Sequence, residues 1–134
     1  MSYEVLEHTA DLMVLAKGDD VEECFEGAAL ALFDQTVDLS SAVEAEEMVI
    51  DVEGDDDEEL LYDMLAELLF LQTAEGWVLS RFEVRFTDTG LRCRAWGERY
   101  DEGRHEIRCE IKAVTFHELE VDRDDPHVKV LFDI

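Results

Sequence analysis

Positive charge is what this chain has least of. Eleven lysines and arginines face 36 aspartates and glutamates over 134 residues, a formal charge of −25, and only Lys17, Lys112 and Lys129 are lysines. Affinity for nucleic acid comes largely from neutralising phosphates, so non-specific binding to RNA or DNA is disfavoured. A partner that itself binds nucleic acid stays compatible. At ordinary ionic strength so much like charge destabilises the compact state by self-repulsion. At molar salt the Debye length falls to about 3 Å and the repulsion fades. The acids run along the whole chain rather than forming a tail. The composition therefore implies a high-salt cytoplasm, as in halophiles that accumulate salt.

Other absences narrow the field further. Cys24, Cys93 and Cys109 are odd in number and show no CxxC spacing, which argues against a disulfide framework or a zinc site. Each lies in an apolar periodic segment and reads as a small buried hydrophobe. No signal peptide, lipidation motif or long apolar run is present, so a soluble cytoplasmic protein without membrane contact is expected. P-loop, GxGxxG and nucleophile-elbow patterns are missing, as is an RNA-recognition aromatic pair. His8, His105 and His117 lack HExxH or HxH spacing, and His127 sits in a turn after Pro126.

The chain length fits one domain, 1–134, with a single core. Ser2–Leu6 and Leu12–Ala16 read as short strands. From Asp20 to Thr36, Val21, Cys24, Phe25, Ala28, Ala29, Leu32 and Phe33 recur at helical spacing. Met48, Ile50 and Val52 alternate within a strand over Glu47–Glu53. An acidic turn follows, in which Asp55 and Glu58 have capping-box spacing. The second helix buries Leu61, Met64, Leu65, Leu68 and Leu69 and stops at Gly76. The acidic run Asp55–Glu59 lacks the spaced ligands and central glycine of an EF-hand and reads as a solvated cap. The rest is β: a hairpin over Val78–Ala95 turning at Thr87–Gly90, a second turn over Gly97–Gly103, a strand over His105–Val114 continued by Thr115–Val121, and a last strand over His127–Phe132. The expected fold is α+β, a single domain with two amphipathic helices packed on one or two mostly antiparallel sheets.

Three remote stretches suggest one site: Glu7-His8-Thr9-Ala10-Asp11, Glu110-Ile111-Lys112-Ala113-Val114-Thr115-Phe116-His117, and Phe132-Asp133-Ile134. Asp133 and the α-carboxylate of Ile134 are adjacent, and like charges so close need a cation or a proton between them. With Asp11 added, the donors are all oxygen and suit Ca²⁺, Mg²⁺ or Mn²⁺ rather than zinc. A frayed, solvated terminus is the bland alternative. Lys112 reads as ion-paired with Glu110 or as contacting a phosphate or a partner. Seven of the eleven cations lie between Arg81 and Arg108. Arg81, Arg85, Arg92 and Arg94 share the outer face of the hairpin, where they form a docking patch or pair across strands with Glu83, Glu98 and Glu106.

The EHTAD opening, the EIKAVTFH segment, Gly97-Glu98 and the Asp133-Ile134 ending, in this order and spacing, resemble the archease family over nearly the whole chain. Phe116 stands where that family often has tyrosine. The resemblance implies an archease-like fold and a non-catalytic protein cofactor of an RtcB-type tRNA-splicing RNA ligase. Such a cofactor promotes guanylylation and multiple turnover of the ligase, and meets RNA only through it. The resemblance implies a divalent metal, calcium foremost, held by Asp11, Asp133 and Ile134. His8, Glu98, Lys112 and His117 are then candidates for contacting the partner or shaping the site. Two other readings stand beside it: a chaperone or specificity modulator of a tRNA methyltransferase, and a metal-dependent hydrolase using Asp11, Asp133 and His8.

Overall fold

The computed structural model describes residues 2–6 and 11–134. In order, its elements are β1 (Ser2–Leu6), β2 (Asp11–Lys17), α1 (Val21–Thr36), a 3-10 turn (Leu39–Ser41), β3 (Glu46–Glu53), α2 (Asp57–Glu75), β4 (Trp77–Phe86), β5 (Gly90–Arg99), β6 (Ala113–Asp122) and β7 (His127–Asp133). The strands make two antiparallel sheets, one in the order β1-β2-β7-β6 and one in the order β3-β5-β4. Helix α1 packs on β2 and β7 of the first sheet and on β4 of the second; α2 packs on β6 of the first and β3 of the second. The helices thus join the two sheets around one core and leave the opposite face of each sheet free of helix. The expected α+β fold is the observed one.

Local chemistry sets the helix ends. Asp20 caps α1 by accepting from the Glu23 N–H at 2.8 Å. The apolar stripe of α1 is almost wholly buried. Asp56, one residue later than the capping-box spacing indicates, caps α2 by accepting from the Glu58 and Glu59 N–H groups. Asp57 is then left to pair with Arg123. Gly76 ends α2 with φ 73°, a left-handed turn that costs a glycine little. Neither helix has a basic residue in its last turn. The positive charge that favours a helix C-terminus comes from elsewhere: Arg108 donates to the Asp34 carbonyl at 3.2 Å, and Arg99 to that of Glu75.

Two sequence expectations are corrected. The alternation of Ile107, Cys109 and Ile111 predicts a strand from His105, but β6 starts at Ala113. Residues 105–112 instead strap the end of α1. Arg108 N–H donates to the Thr36 carbonyl at 2.8 Å, Asp38 N–H to that of Glu106 at 2.8 Å, and Cys109 Sγ to that of Gln35 at 3.0 Å. Ile107 makes one bridge, to Val37. The second correction concerns Gly97, read as opening a turn, which lies inside β5. A Cβ there would stand 2.0 Å from the Val78 carbonyl oxygen, so this glycine allows a close approach of β4.

Candidate functional site

One end of the four-stranded sheet, the tip, brings together Asp11, Lys112, Ala113 and Asp133. In the β2–β7 pairing Asp11 lies directly opposite Asp133, and in the β6–β7 pairing Ala113 lies opposite the same residue. Lys112 N–H donates to the Asp133 carbonyl at 2.7 Å. Packing fixes this register. Leu12, Val14 and Ala16 of β2 alternate into the core, as do Val128, Val130 and Phe132 of β7. Phe132 is fully buried. A one-residue slip would turn all of them outward. Asp11 and Asp133 therefore share the face away from the helices, with Cβ atoms at the roughly 4.5–5.5 Å typical of opposed residues. Asp11 is half-buried, and Asp133 and Ile134 are exposed. Two opposed carboxylates repel unless a cation or proton lies between them.

Among the described residues, no three His, Cys, Asp or Glu side chains gather closely enough to hold a metal ion. A metal at this pair would take two side-chain oxygen donors, and any further oxygens would come from the main chain or from beyond the described residues. His8 lies outside those residues, as do Glu7, Thr9 and Ala10. Lys112 is exposed and makes no ion pair among the described residues, so the expected bond to Glu110 is absent. The reason is the missing strand over 105–112, which alone would have set the two side chains on one face. His117 is not brought opposite the aspartates. It sits where the β6–β7 register breaks between Thr115 and Glu120, exposed, with Nε2 3.5 Å from the Glu118 carboxylate. Glu118 has φ 56°, uncommon for a residue with a Cβ. Phe116 stacks on Tyr62 of α2 with ring centroids 4.1 Å apart, which holds this bulge in place.

Glu98 lies in the other sheet, 8% exposed, at the centre of a network. Its carboxylate accepts from both terminal nitrogens of Arg104, from His105 Nε2 at 2.9 Å and from the Val43 N–H at 2.9 Å. Arg104 first, then His105 and Val43, hold the Glu98 carboxyl down at about 2 against the cost of burial. His105 Nδ1 accepts from the Asp101 N–H at 2.8 Å, so its proton is on Nε2. Glu98 and His105 are thereby engaged in fixing the loop after β5.

The arginine patch is also spoken for. Arg92 pairs with Asp51, Arg94 with Glu47 and Glu83, Arg81 with Glu44, and Arg85 with Glu26 and Glu83. Arg81 and Arg94 also lie over Trp96, 4.3 and 5.0 Å from its ring centroid. Cross-strand pairing is therefore the outcome, chiefly with acids on and before β3, plus Glu83, and not with Glu98 or Glu106. The cysteines are free, and burial pushes the Cys24 thiol to about 11 and the Cys93 thiol to about 12. A mostly apolar pocket of about 240 Å³, with Trp77, Cys109 and Ile111 among its lining, opens between the ends of the two helices and the 107–111 strap. Pattern reading missed it because its walls come from four separate segments. Sequence reading also missed the roles of Glu22 and Glu26 at the edge of β4. Their only signal was a pair of acids four apart on a helix. No helix among the described residues is long and apolar enough to cross a membrane.

Residues 3–134 match the model of the Archease protein family (MTH1598/TM1083). The chain is 42% identical over 125 residues to the protein archease of Pyrococcus furiosus, covering 90% of this chain and 88% of that one. It is 43% identical over 131 residues to the protein archease of Methanothermobacter thermautotrophicus, covering 95% and 93%. The solution structure of Methanobacterium thermoautotrophicum protein 1598 superposes with a TM-score of 0.84 at 41% identity, covering 98% of each chain.

Proposed function

This chain belongs to the archease family, and we propose that it is a non-catalytic accessory protein that activates an RtcB-type tRNA-splicing RNA ligase. On this reading it promotes guanylylation and multiple turnover of the ligase, works through a metal-bearing tip, meets RNA only through the ligase, and does so in a high-salt cytoplasm. The observation that carries the reading is the register of β2 against β7. It sets Asp11 opposite Asp133 on a helix-free face, although the two come from opposite ends of the chain. These are two of the three residues that the family resemblance assigns to a metal.

The donor set fits a hard cation. Asp11 and Asp133 would hold it with main-chain oxygens of Ile134, and calcium, magnesium or manganese all suit carboxylate and carbonyl oxygens. Bound there, the ion would supply positive charge between the two facing carboxylates. Lys112 is held to Asp133 through its backbone and makes no ion pair among the described residues, which supports a role in contacting the partner beside the metal. The non-enzymatic reading draws support from what the reactive groups are doing: His105 is locked to Glu98, and the Cys24 and Cys93 thiols are buried and hard to ionise.

The test is single-turnover guanylylation of the cognate ligase in high salt, with and without this protein. Stimulation that disappears with Asp11→Ala, with Asp133→Ala and with a carboxy-terminal extension supports the reading. Lack of stimulation by folded protein on folded ligase overturns it in favour of the methyltransferase partner. Unaided turnover of phosphoester substrates overturns it in favour of a hydrolase.

A further inference from the structure

The outer strands of the three-stranded sheet, β3 and β4, treat their free edges differently. The β4 edge is plugged. Glu26 of α1 accepts from the Val84 N–H at 2.8 Å, and Glu22, one turn earlier, accepts from the Phe86 N–H at 2.8 Å. Those two donors can no longer pair with another strand. On the β3 side, Gly54 N–H donates to the Thr89 carbonyl across the pairing with β5. Backbone groups alternate in direction along a strand. Met48, Ile50 and Val52 therefore face β5, while Glu47, Val49, Asp51 and Glu53 turn their N–H and C=O groups outward. No side chain or backbone group among the described residues meets those groups.

The β3 edge is eight residues long, and its register with β5 is unbroken. Of the usual devices that blunt an edge it carries no proline, lysine or bulge, only the acids Glu46, Glu47, Asp51 and Glu53. Along it runs an open groove of about 510 Å³, with Val49–Glu53 on one side and Asp63 and Glu67 of α2 on the other. These two acids are four apart, so they project from one side of the helix. Both are exposed, and neither is in an ion pair among the described residues. Val49 is 50% exposed at mid-strand. The charge selects what could add there. A second copy of this acidic strand would set like charges opposite one another, which destabilises pairing.

We propose that the β3 edge is a docking site for an extended basic segment of a partner protein. The segment adds as a further strand on the outward groups of Glu47, Val49, Asp51 and Glu53. Its lysines or arginines reach Asp63 and Glu67, and an apolar residue between them covers Val49. Backbone pairing supplies the affinity in this mode, and alternate side chains supply the selection. The site belongs to the sheet opposite the Asp11–Asp133 pair and does not depend on it.

The probe is a synthetic eight-residue peptide of alternating lysine and valine, beside a version N-methylated at alternate residues. Titration is done at a salt concentration where circular dichroism shows the protein folded. The expected result is slowed hydrogen exchange at the amides of Glu47, Val49, Asp51 and Glu53, with about tenfold weaker binding of the N-methylated peptide, the effect of losing a few backbone hydrogen bonds. Asp63→Lys with Glu67→Lys, an exposed pair, weakens the unmethylated peptide while leaving the free protein's circular dichroism unchanged. Equal affinity for the two peptides, protection at β1 instead of β3, or no binding overturns the proposal.

Discussion

The helix-free faces of the two sheets use charge in opposite ways. On the β3-β5-β4 face, Arg81, Arg85, Arg92 and Arg94 are each matched to a carboxylate, and Trp96 lies under two of them. On the β1-β2-β7-β6 sheet the cations are the chain's three lysines, Lys17 and Lys129 within strands and Lys112 just before β6. None of them is in an ion pair among the described residues. Arginine's planar fork suits fixed pairing, whereas lysine remains a mobile, hydrated point charge. One face is internally balanced. The other carries its lysines outside any ion pair among the described residues, together with the facing carboxylates of Asp11 and Asp133.

The contrast is sharpest at the tip, and so is the largest expected effect. Asp133→Asn should cut ligase stimulation roughly a hundredfold, given that even outer-shell changes at a metal site cost about 10–100-fold in affinity or activity. Calcium should raise the melting temperature of the parent chain, and Asp133→Asn should lose that rise. A variant that still gains stability from calcium would break the assignment of a metal to this face.

Next in size is a structural insult to the balanced sheet. Gly97→Ala forces a methyl group onto the Val78 carbonyl and is expected to cost about 1–3 kcal/mol in denaturant unfolding. Stimulation per folded molecule should be unchanged, because the tip is built on the other sheet. A selective loss of stimulation would show that the two halves are not separable.

A pH effect comes third. The Glu98 carboxyl, at about 2 in the fold against an ordinary 4.5, contributes stability that is complete above about pH 4.5. That contribution is lost as pH falls through the folded value. Stability curves of the parent and Glu98→Gln should therefore lie furthest apart above pH 4.5 and converge toward pH 2. Parallel curves would mean that Arg104 and His105 do not hold the carboxylate as described. The smallest effect belongs to the exposed Arg92–Asp51 pair. Arg92→Ala should leave the melting temperature in high salt within error, since exposed pairs add little and salt screens them.

The helices and most strands were legible because their signals are local. Apolar spacing marked the buried stripes, Gly76 marked the end of the second helix, and Thr87–Gly90 marked a hairpin. Residues 105–112 misled because period-two alternation looks the same whether a segment pairs with a strand or straps a helix end. Gly97 misled because a glycine needed for close approach reads like a glycine needed for a turn.

For the site, the sequence by itself determined the stock of chemistry: the residue types, the family resemblance, and the carboxylates at Asp11 and Asp133. Only the tertiary structure decided which of those groups meet. It set Asp11 against Asp133 through the burial of Leu12, Val14, Val130 and Phe132, and it tied Glu98 and His105 into a loop. It paired Arg81, Arg85, Arg92 and Arg94 with carboxylates and left the lysines without an ion pair among the described residues. The physical reason is that charge pairing depends on strand register, and register is fixed by which side chains the core accepts, a property of the assembled sheets rather than of any one stretch.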